Sequence, residues 1–236
     1  IKKDLVNNFY IYQIEFHDHI QLGFLSLVSI SDFINKKIKV HEKIYENRMK
    51  ERADQMNNIK TQIGPIYVFY PYNEIIEKTL KSYIAKEPDY DFESFDNSIH
   101  KLWCIKDINF HKTLINNFKS IESIYIADGH HRMGAMNLIS KTYELNNQLF
   151  QHVMIAAFPN NQSKIFDYNR VIKDLNGLTK KEFIGLVSQN FDVKIIDKEF
   201  KPIKKNQFGM YHDNQWYSLE FKLKIKNNDF LENLDI

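Results

Sequence analysis

The apolar run Ile124-Tyr-Ile-Ala127 stops at Asp128-Gly129, and the chain changes character at once. An uninterrupted apolar run reads as a short buried strand, and the Asp-Gly pair breaks it. Beyond His130-His131-Arg132, the stretch Met133-Gly-Ala-Met-Asn-Leu-Ile139 can set its apolar groups on one helical face. The chain is therefore committed here to strand, tight turn and helix, with two imidazoles and a guanidinium where the helix starts. Backbone N–H groups and the helix dipole make such a start an anion site. Arg132 can fork onto phosphate oxygens, which favours phosphate over carboxylate. Asp128 can hold a divalent metal or take a proton. His130 and His131 are adjacent and point in different directions, so at most one of them shares a site with Asp128. The turn also has a purely structural reading, in which Asp128 caps the helix and Gly129 supplies a positive φ.

The rest of the chain mixes strand and helix signals. Phe9–Phe16 and Gln21–Ile30 predict an opening hairpin turning at His17-Asp-His19, followed by a short helical turn capped at Ser31. Val40 to about Asn58 predicts a helix with Ile44, Met49, Ala53 and Met56 inward. Gly64-Pro65 then breaks into a β run, Ile66-Tyr-Val-Phe-Tyr70, that Pro71 ends. A helix over Glu74–Lys86, a loop over Glu87–Asp96, a strand over His100–Ile105 and a helix from Asp107 to Phe118 lead to the Asp-Gly turn. After it come a strand over His152–Phe158, too apolar for an exposed edge, and a helix with Thr179 as cap and Glu182 at the capping-box position. The tail Phe208–Lys224 predicts a hairpin turning at His212–Gln215. Strands and helices alternate without parallel-type regularity, so the expected class is α+β, a mixed β-sheet with flanking helices. Residues 1–236 are read as one catalytic-type domain, with 150–236 a candidate carboxy-terminal subdomain.

Composition excludes several classes. The 32 basic and 30 acidic groups nearly cancel, which leaves no footprint for nucleic-acid binding. The 14% aromatic content argues against disorder. The single cysteine, Cys104, rules out an internal disulfide and a cysteine-based zinc cluster, and within Leu102-Trp-Cys-Ile105 it reads as a buried small hydrophobe. No apolar run approaches the roughly 20 residues of a membrane span. A cytoplasmic enzyme is the expectation, with self-association left open. There is neither a P-loop pattern nor a Gly-x-Gly-x-x-Gly fingerprint, so any phosphate grip depends on side chains and the Asp128 turn.

Other residues have two readings each. A glutamate near phosphate-binding arginines can accept a hydroxyl proton while a phosphoryl group is held, which suits Glu42 with Arg48. By charge pattern alone, the same segment reads as a solvated helix face with Arg48 and Arg52 at i and i+4. Thr61 and Gln62 can present polar groups to a substrate or close their own loop. Arg170, in Asp167-Tyr-Asn-Arg170, can reach phosphate or a substrate carboxylate. His17 and His19 lack a third ligand in reach by spacing and read as turn residues.

Ile126-Ala-Asp-Gly-His-His-Arg132 resembles the signature of a bacterial and archaeal family, domain of unknown function 1015. Val40-His-Glu-Lys-Ile-Tyr-Glu-Asn-Arg48, Thr61-Gln-Ile-Gly-Pro-Ile-Tyr67, Gln207–Tyr211 with Trp216–Leu219, and Leu234-Asp-Ile236 resemble further family segments in the same order. Compared with the family, the chain looks like a middle portion of a longer protein. The Asp-Gly-His-His-Arg turn is also similar to the phosphate-binding corner of free-serine kinases with a ParB/sulfiredoxin-like fold. That resemblance implies a ParB/sulfiredoxin-like core and nucleotide-dependent phosphorylation of a small hydroxyl compound, L-serine included, with ATP or ADP and magnesium. It further implies Glu42, Asp128 and His130 as catalytic residues, with Asp128 on the metal. Gly129, His131, Arg132, Arg48 and Arg170 would contact phosphate, and His41, Thr61 and Gln62 the substrate. Many family members carry a Pro-Thr-His-Arg type sequence where this chain has Asp167–Arg170, so only Arg170 is carried over. Two rivals share the same phosphate grip: a phosphatase acting on phosphoserine or a similar monoester, and a non-catalytic ParB-like nucleotide-binding switch.

Overall fold

The computed structural model describes residues 8–142, 150–167 and 169–222. The chain divides into two compact units, Ile1–Ile165 and Phe166–Ile236. In chain order the first holds β1 (Phe9–Phe16), β2 (His19–Ser29), α1 (Ile30–Ile34), β3 (Ile38–Lys39), α2 (Glu46–Ile59), β4 (Ile66–Tyr70) and α3 (Glu74–Lys81). It continues with β5 (Tyr90–Glu93), β6 (Ile99–Ile105), α4 (Ile108–Lys119), β7 (Ile124–Asp128), α5 (His130–Thr142) and β8 (His152–Pro159). These strands form one eight-stranded sheet in the order β3-β7-β4-β8-β2-β1-β6-β5. The β3–β7 and β4–β8 pairs are parallel and the others antiparallel, so the sheet is mixed.

Register explains the core. Ile126, Val68, Ala157, Phe24, Ile11 and Trp103 are neighbours across successive strands from β7 to β6, and each is at most 3% exposed. Residues in one register row share a face, so this row is the floor on which the helices pack. Met133, Met136 and Ile139 of α5, Ala53 and Met56 of α2, Ile76 and Leu80 of α3, and Phe110 and Leu114 of α4 join the same cluster. One residue along, Phe69 and Tyr125 point to the opposite face and stack there at 5.2 Å. β8 is interior, as its apolar sequence requires, with β4 and β2 on either side.

The second unit holds α6 (Lys180–Asn190), β9 (Phe191–Ile196), β10 (Gln207–His212) and β11 (Gln215–Phe221), in a three-stranded antiparallel sheet ordered β10-β11-β9. Thr179 and Glu182 close a full capping box at the start of α6. Asp213 and Asn214 carry φ of 52° and 57°, the left-handed pair that a two-residue hairpin turn demands.

Several elements differ from expectation. The helix predicted from Val40 begins only at Glu46, which leaves His41 and Glu42 in the loop before it. The cap of α1 is Ser29, whose side chain accepts from the Ser31 amide. α3 ends at Lys81, with turns rather than helix up to Lys86. Tyr90–Glu93, expected as loop, is an edge strand whose two faces are both exposed, so no burial alternation marks it. Cys104 is half-buried, because Trp103 and Ile105 on either side take the core face. β9 and the two-residue β3 have no counterpart among the predicted elements. Leu234–Ile236 and the last residues of the predicted late hairpin lie outside the described residues.

Candidate active site

β7 delivers Asp128 to the edge of the core, and Gly129 turns the chain with φ of 100°. The first α5 hydrogen bond follows at once, from the Met133 amide to the Gly129 carbonyl at 2.9 Å. A β-carbon on Gly129 would lie 3.1 Å from two nitrogens of Arg132 and 3.2 Å from Ile66 Cγ2. That space lets the guanidinium fold back over the turn. Arg132 Nη1 donates to the Pro65 carbonyl at 2.7 Å and Nη2 donates to Asp128 Oδ2 at 2.5 Å. Gly64, with φ of 71°, makes room on the other side. The Gly64-Pro65 loop thus pins a cation over the helix start, with further guanidinium N–H groups available for an anion.

The second sequence segment packs against α5. A β-carbon at Gly134 in α5 would meet Ile44 Cγ2 at 2.9 Å and Met49 Sδ at 3.1 Å. Glycine inside a helix costs about 1 kcal/mol relative to alanine; here it lets the 41–49 segment press onto α5. Glu42 Oε2 comes to 3.3 Å from His130 Nδ1, and the His41 ring meets the His130 ring edge-on at 4.5 Å. The Tyr45 amide donates to His131 Nε2 at 3.3 Å, and the Tyr45 and His131 rings lie within 8° of parallel. The Arg48 guanidinium stands 5.9 Å from the Tyr45 ring centre.

His130 is the unusual member. It is 3% exposed, and its Nε2 has no hydrogen-bond partner among the described residues. Burial pushes its pKa below the usual histidine value and His41 pushes the same way, while Glu42 and Asp128 pull against them. The imidazole is therefore neutral near pH 7. The adjacent carboxylate favours the proton on Nδ1, which leaves the Nε2 lone pair buried. The Glu42 side chain is 46% exposed, so its carboxylate remains open to solvent and ligand.

The structure thus brings His41, Glu42, Tyr45 and Arg48 together with Asp128, Gly129, His130, His131 and Arg132. It gives Thr61 and Gln62 loop-closing roles. Thr61 Oγ1 donates to the Ile59 carbonyl. Gln62 spans the start of β8, donating to the His152 carbonyl and accepting from the Met154 amide. Both ends of that amide are engaged within the fold. Arg170 is exposed on the segment leading to α6, in the second unit, whereas the other candidates all belong to the first. Arg52 is exposed and donates to Gln55 Oε1 at 2.9 Å. Sequence reasoning missed Tyr45 and the Gly64-Pro65 clamp. Tyr45 stands next to Ile44, which the sequence reading placed inward on a helix, and the helix begins only after it.

Among the described residues no group of three or more His, Cys, Asp or Glu side chains is placed to hold a metal by itself. Asp128, 76% exposed, offers a single carboxylate. A cavity of about 360 Å³ lies elsewhere, lined by Phe24, Leu27, Ile38, Leu114, Phe118 and their neighbours, and includes none of the residues at the Asp128 turn. No described helix is long and apolar enough to cross a membrane.

The family model described as "Protein of unknown function (DUF1015)" matches residues 1–236. No curated protein and no solved structure gave a match.

Proposed function

We propose that this chain, which belongs to the DUF1015 family, is a nucleotide-dependent kinase that phosphorylates a small hydroxyl compound, free L-serine being the first acceptor to test. The observation that carries the reading is the meeting of Glu42 with the start of α5, where the carboxylate lies 3.3 Å from His130 Nδ1. A carboxylate beside a cationic helix start has the two parts that phosphoryl transfer needs, a proton acceptor and a phosphate grip. Arg132 and the amides at the turn hold phosphate oxygens. Glu42 takes the proton of the acceptor hydroxyl as its oxygen bonds to the terminal phosphorus, and the bond from phosphorus to the nucleotide's bridging oxygen breaks. His130 orients the Glu42 carboxylate, and His41 packs against His130. The mixed sheet suits a ParB/sulfiredoxin-like core, which is part of this proposal and rests on the resemblance of the Asp-Gly-His-His-Arg turn.

A single exposed carboxylate fits magnesium, which binds through few carboxylates together with waters and nucleotide phosphates. Asp128 would hold the ion, which supplies charge neutralisation of the phosphates when bound.

The test is calorimetric titration of ATP and ADP with magnesium, followed by a phosphoserine assay. Arg132→Ala should lose nucleotide binding. Glu42→Gln should bind nucleotide with nearly unchanged affinity yet fail in turnover. Full turnover in Glu42→Gln would remove Glu42 from the mechanism. Release of phosphate from phosphoserine without nucleotide would move the site to the phosphatase reading.

A further inference from the structure

Tyr45 packs with His131 and Arg48 beside the proposed phosphate grip of Arg132 and the turn amides. Tyr45 is 54% exposed at the start of α2, where its side chain makes no capping hydrogen bond. Its backbone is held by the donated bond to His131 Nε2, and its ring runs nearly parallel to the His131 ring at 6.0 Å between centres. The guanidinium of Arg48, at 5.9 Å, adds a further planar group. An exposed aromatic ring whose backbone is already anchored loses little freedom on binding a flat ligand. We propose that Tyr45, flanked by His131 and Arg48, is the platform on which the base of a bound nucleotide stacks. This rests on the nucleotide reading above and adds to it the mode of base recognition.

The physical argument concerns reach and kind. His131 follows directly on the turn that faces the phosphates and carries Tyr45 on its ring, so a planar group linked to those phosphates finds the aromatic surface next to its anchor. Stacking uses the π-face that every base has, so it discriminates weakly between bases. Arginine alongside such a ring adds a cation–π contribution. The site should therefore prefer nucleotides over bare polyphosphate, while accepting ATP, GTP and CTP within severalfold of one another.

The experiment is calorimetric titration of magnesium with ATP and, separately, with tripolyphosphate, on the full chain and on Tyr45→Ala and Tyr45→Phe. Wild type should bind ATP about tenfold or more tightly than tripolyphosphate, the scale of one base–aromatic stack. Tyr45→Ala should bring ATP down to the tripolyphosphate level and leave tripolyphosphate unchanged. Tyr45→Phe should keep the ATP advantage. Tyr45→Ala retaining that advantage would overturn the platform, as would wild type binding the two ligands equally. An equal loss of both ligands in Tyr45→Ala would also overturn it, since Tyr45 would then serve the phosphate grip. Wild type binding neither ligand would overturn the nucleotide reading and the platform together.

Discussion

Replacing His130 by leucine should gain stability relative to wild type as pH falls, while removing the proposed turnover. The imidazole is 3% exposed and its Nε2 is unpartnered among the described residues. A buried polar atom left unsatisfied costs about 1–3 kcal/mol, and leucine removes that cost. Against it stands the 3.3 Å contact of Nδ1 with Glu42, whose side chain is 46% exposed. A pair screened in this way contributes no more than about 1 kcal/mol, and the change of shape costs less than about 1.5 kcal/mol. The balance at pH 7 runs from about 1.5 kcal/mol destabilising to about 3 kcal/mol stabilising. For a unit of this size, each kcal/mol shifts Tm by about 2–4 °C.

The pH dependence sharpens the test. His130 has a folded pKa below its ordinary value of 6.5, because burial and His41 oppose its charge. The unfolded chain therefore binds more protons than the folded one between the two values. Stability rises with pH in that window and falls as pH drops below 6.5, by up to about 1.4 kcal/mol per pH unit, until the folded group itself protonates. His130→Leu lacks this contribution, so its advantage over wild type should widen from pH 7 to pH 5. Calorimetric and circular-dichroism melts across that range measure it. A variant that loses more than about 2 kcal/mol at pH 7, or an advantage that stays constant with pH, would refute the assignment of His130 as a buried, neutral, unsatisfied group.

Three further outcomes follow from the geometry. Gly129→Ala forces an L side chain to φ of 100° and sets a β-carbon 3.1 Å from Arg132; it should cost about 1–3 kcal/mol and weaken nucleotide binding, read by a melt and a titration, and an unchanged Tm would show that the turn relaxes freely. Gln62→Ala removes both bonds to the start of β8 and should cost about 1–3 kcal/mol with turnover per folded molecule unchanged, whereas a raised KM at unchanged stability would return Gln62 to the substrate site. Thr179→Ala breaks the capping box with Glu182 and should loosen α6 by about 1 kcal/mol, visible as faster amide exchange at Lys181–Phe183; unaltered exchange there would mean that the cap contributes nothing.

Much of this protein is local and was legible in the chain. The strand–turn–helix at Ile124–Ile139, the Asp107 cap of α4, the Thr179 capping box and the burial of β8 follow from short-range rules, since each depends on neighbours within a few residues. The start of α2 was not legible, because Val40–Tyr45 carries no helix-stopping residue; the loop is held against α5 by packing at Gly134, a contact that sequence spacing cannot express. The edge strand β5 was hidden by its acidic side chains and its lack of a buried face.

The same division runs through the candidate site. The residues able to carry the chemistry were marked by type and spacing within two separate segments, His41–Arg48 and Asp128–Arg132. Only the tertiary fold decided that Glu42 meets His130, that Tyr45 lies on His131, that Arg132 is clamped by Pro65, and that Gln62 serves β8. Helix and turn propensities are encoded within a few residues and survive reading one segment at a time. A meeting of side chains from distant segments depends on the register of a mixed sheet and on where a missing β-carbon allows two elements to close, and both are set by the whole fold.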